Sequence, residues 1–273
     1  MRAHRPAATL ATAAIIATSF AACDDTIAYA QPCPGQMTFA VGGVDDPGAR
    51  HVPGLTGPVT RVHYSASIAP VGNVPGDISR REGERNLDRA ARTFRRQCPD
   101  SRIRVIGNSM GALVAGNVRD KWQHDPQMRR NTRFTLVSDP RAKRGIMSQL
   151  PSVVPGLTMQ GPRPKSTIPT STVCRPSDAI CDLGNPLVDP GHAINAAIGY
   201  ARGDHGYTNA EVTHTSGHHT VPARIHAVPD TPIAWQPPTP RQVLEPIVTR
   251  IVPKHLPAPV AREINRWWKQ RMR

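Results

Sequence analysis

Aromatic residues are scarce: Phe, Tyr and Trp together make up 4% of the 273 residues. Nucleic-acid binding needs clustered cations interleaved with stacking rings. The formal charge of +14 is therefore not read as a nucleic-acid footprint. Lysine is scarcer still. Only 5 of the 34 basic residues are Lys and the other 29 are Arg, spread over the whole length without a polybasic run. No Cys-x-x-Cys pair occurs, which removes the commonest zinc pattern. No internal repeat is visible. The one uncharged apolar stretch, residues 6–22, is too short for a comfortable membrane span.

Proline, by contrast, is abundant. Its 29 occurrences are about twice average usage and disfavour an all-helical bundle. Arg2 and Arg5 precede the apolar stretch, and Ala28-Tyr29-Ala30 follows it as a small-x-small site before Gln31. This layout predicts a secretory signal over residues 1–30. A retained anchor and lipidation at Cys23, after Phe20-Ala21-Ala22, are the alternatives. Each implies export, to the exterior or the cell envelope. Cleavage after Ala30 leaves Cys33, Cys98, Cys174 and Cys181, an even number for an oxidising compartment. Of three pairings, Cys33–Cys98 and Cys174–Cys181 are favoured. Their loops of about 66 and 8 residues would stabilise by about 4.3 and 2.5 kcal/mol in the chain-entropy treatment.

Short strands are expected over 37–41, 59–64, 103–106, 134–138 and 170–173. Helices are expected from the capping box Ser79–Glu82 to Cys98, over 112–122 and over 194–201. Leu87, Ala91, Phe94 and Cys98 recur on one face of the first helix. Strands alternating with helices predict an α/β fold, with a central parallel sheet and helices on both faces. From about Pro222 the texture changes, with ten Pro in the last 52 residues. The domain is expected to end near residue 235, leaving a Pro-rich basic segment over 236–273. Its last stretch, 259–273, is a basic amphipathic helix carrying Trp267 and Trp268. Such a helix either packs on the body or lies on an anionic membrane surface.

Gly107-Asn108-Ser109-Met110-Gly111 fits Gly-x-Ser-x-Gly between a strand and a helix. There a sharp turn exposes the serine hydroxyl, and the helix aims its first N–H groups at an oxyanion. In this arrangement the acid and then the base follow the nucleophile in sequence. Asp178 lies inside the small ring proposed between Cys174 and Cys181, a setting suited to orienting an imidazole.

Cys98-Pro99-Asp100 before a strand and Gly-x-Ser-x-Gly resembles the secreted cutinases, as does Cys-x-x-x-Asp-x-x-Cys over 174–181. Several further pieces resemble a cutinase-like branch, the PE-PPE serine esterase domain. They are Val62-His63-Tyr64, Ser138-Asp139-Pro140-Arg141, Asn185-Pro186-Leu187 and Asn195-Ala196-Ala197-Ile198-Gly199-Tyr200. The match covers about residues 33–235. It implies an α/β-hydrolase, cutinase-like three-layer sandwich over 31–235, with Ser109 as nucleophile and Asp178 as triad acid. Two departures stand out. Met110 occupies the place where cutinases usually have Gln, and Gly43-Val44 the place of Gly followed by a hydroxyl residue. The oxyanion hole then rests on backbone N–H groups of Gly43, Val44 and Met110, and losing one donor typically costs about 2.7–4 kcal/mol.

Two histidines compete as base. His192 lies 14 residues after Asp178, near the cutinase interval, at the start of the 194–201 helix. His205 lies 27 residues after Asp178, beyond that helix's end, in an element resembling the PE-PPE pattern. A helix C-terminus favours the imidazolium by about 0.3–1 kcal/mol and an N-terminus disfavours it. His205 is therefore preferred. His214, His218 and His219 have a metal-pair spacing but read as a loop of solvated histidines, not a metal site. Asp45-Asp46 reads as a solvated turn, and Arg80-Arg81 and Arg95-Arg96 as exposed helix faces.

The expected activity is hydrolysis of acyl esters or lipids by a secreted serine esterase without metal or organic cofactor. The alternatives are an acyltransferase passing the acyl group to a sugar or lipid alcohol, and a degenerate hydrolase that binds the cell envelope.

Overall fold

The computed structural model describes residues 32–213, 217–223 and 258–271. Six strands form one sheet, β1 (Gln36–Val41), β2 (Val59–Val62), β3 (Arg102–Asn108), β4 (Thr132–Val137), β5 (Thr170–Cys174) and β6 (Gly217–Thr220). Their spatial order is β2-β1-β3-β4-β5-β6, and every pair is parallel. The α/β class with a central parallel sheet is as expected. A parallel sheet must be covered on both faces, and two apolar clusters do this. On one face Phe39, Val41, Val105 and Phe134 meet Leu87, Ala91 and Phe94 of α1 (Gly76–Gln97) and Val114, Val118 and Trp122 of α2 (Met110–Trp122). On the other, Ala40, Ile106, Val137 and Val173 meet Ala49, Val52, Val212 and Val221. That second layer is built largely from loop, in keeping with the proline content.

Short helices α3 (Pro126–Arg129), α4 (Ile146–Gln149) and α5 (Ala179–Asp182) punctuate the connections. The longer α6 (Pro190–Ala201) packs Ala193 and Ala196 against Ala179 and Leu183. Both favoured disulfides are present, Cys33–Cys98 and Cys174–Cys181. The first ties the entry to β1 to the end of α1. The C-terminal helix α7 (Ala258–Arg271) buries Ala261, and its Glu263 and Ile264 share a cavity with residues 152–155. This favours packing on the body. The side chains of Trp267 and Trp268 lie outside the described residues, as do the expected signal segment 1–30, the expected domain boundary near 235 and His214.

Several local expectations are corrected. Helix α1 begins at Gly76, not at Ser79. The hydroxyl of Ser79 instead accepts from Ser67 N–H, and the Glu82 carboxylate accepts from both N–H and Oγ of Ser65. These side chains therefore hold the loop before α1 rather than capping it. Arg95 is 2% exposed, and its guanidinium donates to the carbonyls of Pro99, Ser101 and Arg130. Arg80 pairs with Glu84 at 2.5 Å. Of those four arginines, Arg81 and Arg96 are exposed as expected. Asp46 is buried, and its carboxylate accepts from Arg50 N–H and His51 N–H, while Asp45 is exposed as expected. His218 and His219 are on β6, paired with Thr172 and Val173, not in a loop. Non-local pairing overrides the weak strand signal of Gly-His-His-Thr.

Candidate active site

Strand β3 is central and ends at Asn108, and Ser109 follows with φ 57° and ψ −120°. A non-glycine residue in that region is strained, a state maintained only where the surroundings enforce it. Here they do. A Cβ on Gly107 would stand 2.2 Å from Gly111 O, and one on Gly111 would stand 2.1 Å from Val41 O. Both positions therefore exclude side chains, and α2 starts hard against the end of β1. That contact sets Gly43 beside the serine, where an added Cβ would come 3.1 Å from Ser109 Cβ. Val44 is the next residue on the same loop, and Met110 opens α2 with its N–H at the helix N-terminus.

Ser109 is also tied sideways: its N–H donates to Val137 O at 2.9 Å, at the end of β4. The next residue, Ser138, is fully buried and adopts φ 52°. Its hydroxyl donates to Asp178 Oδ2 at 2.6 Å and lies 3.1 Å from His205 Nδ1. The two ends of β3 and β4 thus bring the serine turn and an Asp–His pair together. His205 Nδ1 sits 2.9 Å from Asp178 Oδ2 and 3.1 Å from Oδ1.

Asp178 is the N-cap of α5, accepts from Ile180 N–H at 3.0 Å, and is 0% exposed inside the Cys174–Cys181 ring. The fourth donor to its carboxylate is Tyr207 Oη at 2.8 Å. Burial, and after it the Asp178 charge, push the Tyr207 phenol up, so it remains a donor. Arg175 fixes the loop that carries His205 and Tyr207. Its guanidinium is 2% exposed, lies 5.4 Å from the Tyr207 ring centroid, donates to Asp204 O and pairs with Glu211 at 3.0 Å. The Tyr200 ring, 5.1 Å from the His205 ring, flanks it. Among the described residues no hydrogen bond joins Ser109 Oγ to His205. In unliganded sites such contacts often tighten only with substrate.

His192 is elsewhere. Its Nε2 lies 2.9 Å from Asp182 O and 3.0 Å from Asp182 Oδ1, and that carboxylate also binds Arg144. The hydrogen bond with Asp182 raises the imidazole above its ordinary range. Sequence reading missed the roles of Ser138, Tyr207 and Arg175. One signal existed, since a polar residue closing the parallel strand next to the nucleophile's strand points into the crevice at the carboxyl edge. Among the described residues no group of His, Cys, Asp and Glu could hold a metal ion.

A family model for the PE-PPE domain matches residues 53–231, and the chain belongs to that family. No curated protein matches it. Among solved structures, an acetyl xylan esterase is 17% identical over 68% of this chain and 100% of its own, with a TM-score of 0.43. The catalytic core domain of acetyl xylan esterase from Trichoderma reesei is 19% identical over 67% and 99%, at 0.42. A cutinase-like protein from Cryptococcus sp. is 16% identical over 64% and 97%, also at 0.42.

Proposed function

We propose that the protein is an exported serine esterase that hydrolyses acyl esters, including those of lipids, through an acyl-enzyme. The observation that carries this reading is the buried Asp178 carboxylate on His205 Nδ1, joined through Ser138 to the strand end that holds Ser109. In the first step Ser109 Oγ attacks the ester carbonyl and His205 Nε2 takes its proton. Asp178 keeps the Nδ1 proton in place and stabilises the imidazolium. The tetrahedral oxyanion is met by the N–H of Met110 and those of Gly43 or Val44. Collapse expels the alcohol, protonated by His205. Water then attacks the acyl-enzyme by the same proton path and frees Ser109. No cofactor enters this sequence.

Membership of the PE-PPE family and the structural likeness to esterases agree with ester chemistry. Two disulfides suit an oxidising compartment, in line with a cleaved leader over 1–30, a catalytic domain over 31–235 and a packed C-terminal segment. The test is covalent labelling with a fluorophosphonate together with turnover of short-chain nitrophenyl esters. Wild type should be labelled, and Ser109→Ala should lose labelling and roughly 10⁶ in kcat while unfolding as wild type does. Near-parental turnover by Ser109→Ala would overturn the assignment.

A further inference from the structure

The amino ends of the strands, opposite the serine, hold a second feature. On the sheet face of Ile106 and Val137, Arg104 of β3 and Arg133 of β4 are direct cross-strand partners. Like charges opposite one another on neighbouring strands destabilise a sheet. The two guanidiniums line a cavity of about 450 Å³ with Gln36, Thr56, Thr135 and Asn209, and among the described residues no carboxylate lines it. Arg104 donates to Gly54 O at 3.1 Å and Thr56 Oγ1 at 3.2 Å, and Arg133 to Gln36 Oε1 at 3.2 Å. The remaining N–H donors have no protein acceptor among the described residues. Asn209 has its carbonyl oxygen taken by Gly54 N–H at 2.8 Å, which leaves its amide N–H groups as donors. Burial and then the neighbouring Arg133 both push the Arg104 guanidinium down, the sign of a cation without a counter-charge.

The contrast with the larger cavity between α1 and α2, about 730 Å³, is informative. There the cations are answered by acids of the chain, with Arg80 and Lys121 on Glu84 and Arg92 on Asp88. At the Arg104–Arg133 cavity no acid among the described residues answers the two cations.

We propose that this cavity binds a phosphate group, gripped by the two guanidinium forks of Arg104 and Arg133. A carboxylate has two oxygens and is satisfied by one fork. A tetrahedral phosphoryl group presents enough oxygens for two forks side by side, and neighbouring hydroxyl and amide donors can take the remainder. The cavity is larger than phosphate alone needs, so the group can be free or carried on a lipid headgroup. Arg104 precedes Ser109 by five residues of extended strand, a separation of about 17 Å, so the site is distinct from the ester-cleaving one.

The experiment titrates the full chain with inorganic phosphate against chloride at matched ionic strength, by calorimetry and thermal unfolding. Wild type should bind saturably and unfold at higher temperature as phosphate rises. Arg133→Gln should weaken phosphate binding roughly tenfold or more, the equivalent of one charged hydrogen bond lost. Arg133→Lys, which keeps the charge and loses the fork, should fall between them. Ester turnover should be unchanged in both variants. Sedimentation with phosphatidylcholine vesicles, with and without phosphatidic acid, separates the sources. Vesicle binding lost in Arg133→Gln assigns a headgroup phosphate, and vesicle binding unaffected by it assigns a soluble one. Wild type without saturable phosphate binding, or phosphate binding equal in all three proteins, overturns the proposal.

Discussion

Two histidine–carboxylate pairs stand at opposite ends of α6, and their direct contacts are nearly the same. His205 Nδ1 is 2.9 Å from Asp178, and His192 Nε2 is 3.0 Å from Asp182. The imidazoles are also equally accessible, with side chains 23% and 21% exposed. The difference lies in the acids. Asp178 is 0% exposed, and its other donors are the neutral groups of Ser138, Tyr207 and Ile180 N–H. Asp182 is 20% exposed and shared with the cation of Arg144. A carboxylate whose charge is met only by neutral dipoles leaves that charge available to stabilise an imidazolium formed beside it. One already neutralised by an arginine has less to give. The first pair is suited to moving a proton, and the second to holding a chain segment.

The sharpest way to break this contrast is to remove each imidazole in turn. His205→Ala should lower kcat for a short-chain ester by roughly 10⁴–10⁶, whereas His192→Ala should leave it within about twofold. The reverse order, in purified and folded variants, would reassign the base. Smaller effects follow from the donors around Asp178. Tyr207→Phe and Ser138→Ala each strip one hydrogen bond from a buried carboxylate, worth about 1–3 kcal/mol. The corresponding fall in kcat is roughly tenfold to a hundredfold.

The smallest effect concerns the second pair and is read in stability. The His192 imidazole is raised by its hydrogen bond with Asp182. Its contribution is therefore complete below the ordinary imidazole range and fades as pH rises through the raised value. Burial pushes Asp182 up, but hydrogen bonds from His192 and Arg144 outweigh it and hold this carboxyl low. On the acid side the contribution is lost only as pH falls through that lowered value. Comparing unfolding temperatures of wild type and His192→Gln between pH 5 and pH 9 should show the gap closing toward pH 9. A gap that widens with pH would contradict the pairing.

Much of the local order was legible in the chain. Leu87, Ala91 and Phe94 announced the buried face of α1, and Gly107 and Gly111 announced the turn that strains Ser109. Spacing also favoured the two disulfides and placed Asp178 inside the smaller one. These features depend on residues close in sequence, where periodicity and sterics act directly. Ser138 stood within a quoted motif without a task, Tyr207 was not singled out, and Arg95 was read as exposed. Their roles arise from partners 6–40 residues away, which no local pattern encodes. The same holds for β6, whose Gly-His-His-Thr has little strand character of its own and pairs because β5 offers an open edge.

The sequence by itself determined the alternation of strands and helices, the serine turn and the candidate acid. It did so because backbone geometry is fixed by nearest neighbours and by the absence of a Cβ at two glycines. Only the tertiary structure set His205 against the buried Asp178 and His192 against an Asp182 shared with Arg144, because those partners are brought together by the packing of separate segments. It alone also set Arg104 opposite Arg133. Strand register puts their charges side by side, 29 residues apart in the chain, and among the described residues no carboxylate lines the cavity they share.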